Sequence, residues 1–156
     1  MALARILVDG YSLLHHWPEL APGQPRHSAT ARAELIHVLR LYQDAIGTPV
    51  TLVFDGDSKR NPGEADSTPE FEIFYSRAGE TADHVIEAVT HRLRPYGEVL
   101  AVTDDQAERE TVVSMGGSAC SCENFVRMIE GDLHEMERRI EHSNRRERER
   151  FKRARS

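Results

Sequence analysis

Apolar residues along this chain follow two rhythms. Short unbroken runs of aliphatic and β-branched residues alternate with stretches in which apolar positions recur every three or four residues. The runs predict strands at Ala4–Asp9, Val50–Phe54, Phe71–Tyr75 and Val99–Val102, with a small fifth strand at Ser118–Ser121. The longer rhythm predicts helices between them. Ser28 caps a helix whose Leu35, Ile36, Leu39, Tyr42 and Ile46 share one face up to Gly47, and Thr81 caps another that buries Ala82, Val85, Ile86, Val89 and Leu93. Asp105 with Glu108 has the spacing of a capping box and opens a helix to about Met115. A last helix from Ser121 or Cys122 buries Phe125, Ile129, Leu133, Met136 and Ile140, beyond which the apolar spacing disappears. Strands separated by crossover helices predict an α/β domain with a parallel sheet.

The links between these elements are polar. Three prolines between Trp17 and Pro25 exclude regular structure, and Asp9-Gly-Tyr-Ser12 reads as a polar turn after the first strand. Residues 58–69, with Pro62-Gly63, read as a surface loop carrying Lys59 and Arg60. His15, His16 and Trp17, near the carboxyl end of the first strand, read as loop and packing residues, with stacking on or binding of a nucleotide as the alternative.

Composition bounds the class. A length of 156 residues fits one domain, and 39% hydrophobic with 29% charged residues describes a modest core under a solvated surface. No run approaches the roughly 18 residues of a membrane span, and Met1–Leu7 lacks a signal-peptide core, so a cytoplasmic protein without membrane partners is expected. Cys120 and Cys122 are too close in sequence for a relaxed disulfide and too few for a closed zinc site, which makes them packing residues. The net charge of −6 is unevenly spread. From Arg138 to Ser156 there are nine Lys or Arg against three Glu, a net +6 that leaves −12 on the rest. Residues 1–140 are therefore read as the domain and 141–156 as a basic helical tail, which is either a solvated extension or an RNA or ribosome contact.

The candidate chemistry lies where strands end. Asp9, Asp55, Glu80 with Asp83, and Asp104 with Asp105 follow four successive strands. In an open parallel sheet that edge holds the ligand crevice. Asp9 is explained equally well by capping, and Asp83 by the helix dipole. Capping is expected to account for only one of the adjacent pair Asp104 and Asp105. Carboxylates gathered without thiolates suit a hard divalent cation, Mg2+ or Mn2+, and hence hydrolysis of a phosphate ester, as a phosphodiesterase or a phosphatase. No glycine-rich phosphate loop with Lys and no serine elbow is present. A haloacid-dehalogenase type of phosphatase requires a second Asp at position 11, which is Tyr11.

Four stretches carry a resemblance. Ile6-Leu-Val-Asp-Gly-Tyr-Ser-Leu-Leu14, Val53-Phe-Asp-Gly56, Gly79-Glu-Thr-Ala-Asp-His-Val-Ile-Glu87 and Val102-Thr-Asp-Asp-Gln-Ala-Glu-Arg109 resemble the YacP-like branch of the NYN domains, within the PIN-like nuclease group. The resemblance covers about Ile6 to Ile129. It implies a PIN-like three-layer sandwich with strand order 3-2-1-4-5, and a metal-dependent endoribonuclease, in some members directed at ribosome-associated mRNA. It also implies that Asp9, Asp83 and Asp105 bind metal, with Glu80 and Asp55 at acidic positions around that site; Asp104, an acid outside the family pattern, is read as a further candidate metal ligand that assists with Glu80. Ser12, Asp55 and Arg77 are assigned to substrate binding. Two positions depart from the family pattern, Ser12 where Asn is usual and Asp104 where Ser is common. With the basic tail, Ser12 also supports a rival reading, a non-catalytic RNA- or ribosome-binding module of the same fold.

Overall fold

A computed structural model describes residues 3–56, 67–76 and 80–155. Arg77, Lys59, Arg60 and most of the polar loop of residues 58–69 lie outside that range. The chain runs β1 (Leu3–Asp9), α1 (Gly10–His15), α2 (Ala29–Ile46), β2 (Val50–Phe54), β3 (Phe71–Tyr75), α3 (Ala82–Leu93), β4 (Glu98–Val102), α4 (Gln106–Ser114), β5 (Ser118–Cys120) and α5 (Cys122–Arg155). All strand pairs are parallel and the sheet order is β3-β2-β1-β4-β5. The order inferred from the resemblance is thus the observed one.

Alternation along the central strands sorts their side chains into two cores. Ile6 and Val8 face one side, where Leu52, Phe54, Leu100 and Val102 join Leu35 and Leu39 of α2 and Phe125 and Ile129 of α5. Leu7 faces the other, with Val53 and Ala101, against Val85 and Ile86 of α3 and Val112 of α4. Because both faces are covered, β1 and β2 read as continuous apolar runs. Each fully buried aliphatic side chain contributes about 1.5–3 kcal/mol of transfer free energy, so this three-layer packing rather than helix propensity fixes the positions of the elements. β3 is an edge strand as expected, and its Ile73 N–H donates to Ser67 Oγ at 2.9 Å, which blunts the edge.

Local signals set the helix ends. Ser28 Oγ accepts from the Ala31 N–H (3.2 Å), and Gly47, at φ 76°, closes α2 with its N–H on Gln43 O. Thr81 Oγ1 accepts from the His84 N–H (3.2 Å) to start α3. α5 is one helix of 34 residues, about 50 Å long at 1.5 Å per residue. Its first turns are buried through Cys122, Phe125 and Ile129, whereas every residue from Glu137 to Ala154 is exposed. The charged tail continues the last helix of the domain without a break.

The first connection differs from its sequence expectation. Gly10–His15 is a short helix, and Leu13 and Leu14 are fully buried. Two apolar residues were enough to turn a polar turn into a helix once the sheet offered a surface to cover.

Candidate active site at the carboxyl edge of the sheet

The strand order reverses at β1, with β2 on one side and β4 on the other, and the crevice at such a switch point opens beyond the strands' carboxyl ends. Asp9 ends β1 there. Its backbone is extended and its Oδ1 accepts from the Ser12 N–H at 3.3 Å, so it caps α1. The passage from strand to helix is tight: a Cβ on Gly10 would overlap the buried Phe54 ring at the end of β2. Glycine at position 10 is what lets Asp9 stand at the edge with a helix starting directly behind it.

Each later acid enters the crevice by a comparable device. Asp55, just after β2, accepts from Ser76 Oγ (3.1 Å) and from the Ala82 N–H (2.8 Å) through Oδ1, binding the end of β2 to the start of α3. Asp83 therefore sits in the first turn of α3. Asp105 Oδ1 accepts from the N–H groups of Ala107 (2.9 Å) and Glu108 (3.2 Å) and caps α4. Asp104 Oδ1 accepts from the N–H of Cys122 (3.0 Å), the first residue of α5, while Oδ2 lies 3.3 Å from His16 Nδ1. As expected, capping serves only one member of this pair, Asp105; Asp104 instead reaches the first N–H of α5, a helix capped by Ser121, whose Oγ accepts from the Asn124 N–H (3.2 Å). Sequence adjacency concealed this, because α5 begins far along the chain and meets Asp104 only in the folded sheet.

Ser12 belongs to the same junction. Its Oγ accepts from the Asp104 N–H at 3.1 Å and lies 3.6 Å from Cys122 Sγ. The two departures noted in the sequence, Ser12 and Asp104, thus touch one another and jointly tie α1 to the start of α5. Burial pushes the Cys122 thiol up to about 12 and that of Cys120 up to about 11, so both remain protonated packing groups.

The acids feel one another. Burial, reinforced by the negative charges of Asp83, Asp55 and Asp104, raises Asp9 to about 6 despite its bond from Ser12. Asp83 is raised as well, first by burial and then by Asp105, Asp55 and Glu87. Sequence reading missed the most perturbed of the group. Glu108, only 4% exposed, is pushed up to about 8 by burial and then by Asp83, Glu87 and Asp105, and its Oε1 has no hydrogen-bond partner. The signal was present: Glu108 precedes buried Val112 by four residues and so shares its inward face. Read as the far end of a capping box, Glu108 instead points into the domain.

One assigned residue lies elsewhere. Glu80 lines a groove of about 470 Å³ between β3 and α3, with Phe74, His84 and Arg92. Arg77 lies outside the described residues. Among the described residues, no three His, Cys, Asp or Glu side chains already stand close enough to hold one ion. The fit to a cation therefore rests on donor chemistry, several carboxylates that raise each other's proton affinity in a half-buried crevice.

The family model of the YacP-like NYN domain matches residues 6–156. This chain belongs to the YacP-like NYN domain family. Its fold is of nuclease type, and the acid-lined crevice is its carboxyl edge. Among similar members, the Bacillus subtilis (strain 168) protein YacP is 28% identical over 136 residues, 86% of this chain and 80% of its own length. The crystal structure of Rae1 (YacP) from Bacillus subtilis superposes with a TM-score of 0.74 at 26% identity, covering 90% of this chain and 80% of that one. A point mutant of Rae1 (YacP) gives the same TM-score at 27% identity, covering 89% of this chain and 82% of its own. None of the helices among the described residues is long and apolar enough to cross a membrane.

Proposed function

We propose that this NYN domain is a divalent-metal-dependent endoribonuclease that hydrolyses phosphodiester bonds of RNA. One observation carries the reading: at the switch point of the sheet, Asp9 at the end of β1 is half-buried within electrostatic reach of Asp83, Asp55 and Asp104, which favour its protonated form. Such a set is unfavourable alone and favourable around a cation. Asp9, Asp83 and Asp105 would hold Mg2+ or Mn2+, with Asp104 beside them. When bound, the ion supplies an activated water and stabilises the charge that develops on the phosphate.

The chain's own residues do the positioning. Asp105 and Asp9 are fixed by the helices they cap, and Asp55 fixes the start of α3 and with it Asp83. Burial and the neighbouring acids favour the neutral form of Glu108, which lessens the negative charge that a phosphate group meets at the cluster. Asp55, Ser12 and Arg77 serve the substrate side, and Glu80 is assigned an assisting role from the groove between β3 and α3. Nine Lys or Arg from Arg138 onward, on a solvent-exposed helix, supply phosphate contacts for RNA, including mRNA on the ribosome. The test is cleavage of single-stranded RNA by wild type, with and without EDTA, beside Asp9→Asn and Asp83→Asn. Equal cleavage in every arm would refute the assignment.

A second reading follows from Asp104, both of whose carboxylate oxygens have protein partners. If metal titration shows no binding and a chain ending at Ile140 loses RNA affinity, the domain is an RNA-binding module without catalysis.

A further inference from the structure

His15, the last residue of α1, and His27, in the connection to α2, turn their Nε2 atoms toward each other at 3.3 Å, with ring centroids 5.3 Å apart at 62°. Two imidazole nitrogens sharing one tetrahedral ion at about 2.0–2.1 Å each stand about 3.3–3.4 Å apart. The observed separation matches that span; without an ion, one ring's N–H can donate to the other's bare nitrogen across the same distance. Both rings are exposed, so water can complete the coordination.

The pair sits on a braced frame. The Arg26 guanidinium donates to the carbonyl oxygens of Leu14 (3.2 Å), Trp17 (3.1 Å), Ala21 (2.6 Å) and Gln24 (3.1 Å), which gathers the end of α1 and the following loop around one side chain. Tyr11 packs its ring on His27 at 4.1 Å, and Arg32 holds the His27 carbonyl at 2.8 Å. The two ligands therefore come from different elements whose relative position is already set, which limits the ordering cost of binding.

We propose that His15 and His27 form a two-imidazole site for a borderline divalent cation of the Zn2+ class, separate from the carboxylate edge. Imidazole nitrogen favours Zn2+, Ni2+ or Cu2+ over Mg2+ or Mn2+, so the two sites select different ions. The ion would close the loop between α1 and α2 onto α1, the helix capped by Asp9. The inference stands independently of the nuclease reading.

The test is calorimetric titration of the full chain with ZnCl2 at neutral pH, together with zinc X-ray absorption of the wild type. The expected result is one Zn2+ with two imidazole nitrogens in its first shell. Losing an outer-shell partner alone costs about 10–100-fold in metal affinity, so His15→Gln and His27→Gln should each weaken binding at least about tenfold. His91→Gln, His142→Gln and Asp9→Asn should leave it unchanged. Retained affinity in the His15→Gln, His27→Gln double variant overturns the site. So does loss of Zn2+ in Asp9→Asn, or a wild-type absorption spectrum without imidazole scattering.

Discussion

The carboxyl edge of the sheet and the distal half of α5 both gather charge, and they carry it in opposite ways. At the edge, Asp9, Asp83 and Glu108 are drawn into a crevice by helix caps and packing, and each is held above the ordinary carboxylate range. Along α5 from Glu137 to Ala154, charges stand in water on a helix with no layer against it, paired locally as in Arg139–Glu135 at 3.6 Å. Exposed pairs of this kind add about 0.3–0.5 kcal/mol or less. Charge is therefore costly in the first region and nearly free in the second. Only in the first does geometry make it informative about chemistry.

The comparison breaks most severely at Asp9. Asp9→Asn is expected to lower RNA cleavage at least about a hundredfold while leaving the fold intact. It should also raise stability at neutral pH by about 1–2 kcal/mol, the shift from 3.8 to about 6 discounted for partial exposure. Activity assays with chemical denaturation check both, and a destabilised Asp9→Asn would contradict the repulsion argument. Excess Mn2+ should raise the wild-type Tm and not that of Asp9→Asn.

Gly10→Ala tests whether the edge depends on the close strand-to-helix passage. Its Cβ would overlap the ring of fully buried Phe54, so a loss of about 1–3 kcal/mol is expected, with reduced cleavage. Thermal melts that match wild type would show that the passage has slack.

The pH dependence sharpens the contrast. A raised carboxyl pKa means the folded state holds its proton more tightly than the unfolded chain. That stabilising contribution is complete below the unfolded pKa and is lost as pH rises through the folded value. For Asp9 the window runs from 3.8 to about 6, and for Glu108 from 4.5 to about 8. Glu108→Gln should flatten the fall in stability between about pH 5 and 8 relative to wild type. Urea titrations across that range measure it, and parallel curves would remove Glu108 from the cluster.

The smallest effect on stability belongs to the arm. Ending the chain after Ile140 removes a stretch that is exposed from Glu141 to Ala154 and should change unfolding free energy by about 0.5 kcal/mol or less. RNA affinity should drop in the same variant, and its salt dependence should become shallower. A binding isotherm insensitive to the truncation would leave the arm as a solvated extension.

How much was legible in advance varied with the range of the interaction. β2, β3 and the caps Ser28 and Thr81 were read correctly, because run length and side-chain capping are local. α1 was not, since a six-residue helix has little stability of its own and forms where Leu13 and Leu14 find the sheet. Glu108 was misplaced for a related reason: capping-box spacing is local, whereas the burial that turned its side chain inward comes from α3 and the sheet.

By itself the sequence determined the alternation of strands and helices, the acids at the strand ends and the charge split between body and arm. Those follow from spacing and composition. Only the tertiary structure decided that Asp104 reaches the start of α5 while Asp105 caps α4, that Ser12 meets Asp104, that Glu108 is buried among acids, and that His15 faces His27. Each of these is a contact or a burial set by how separate elements pack, and such packing brings together residues that spacing along the chain holds apart.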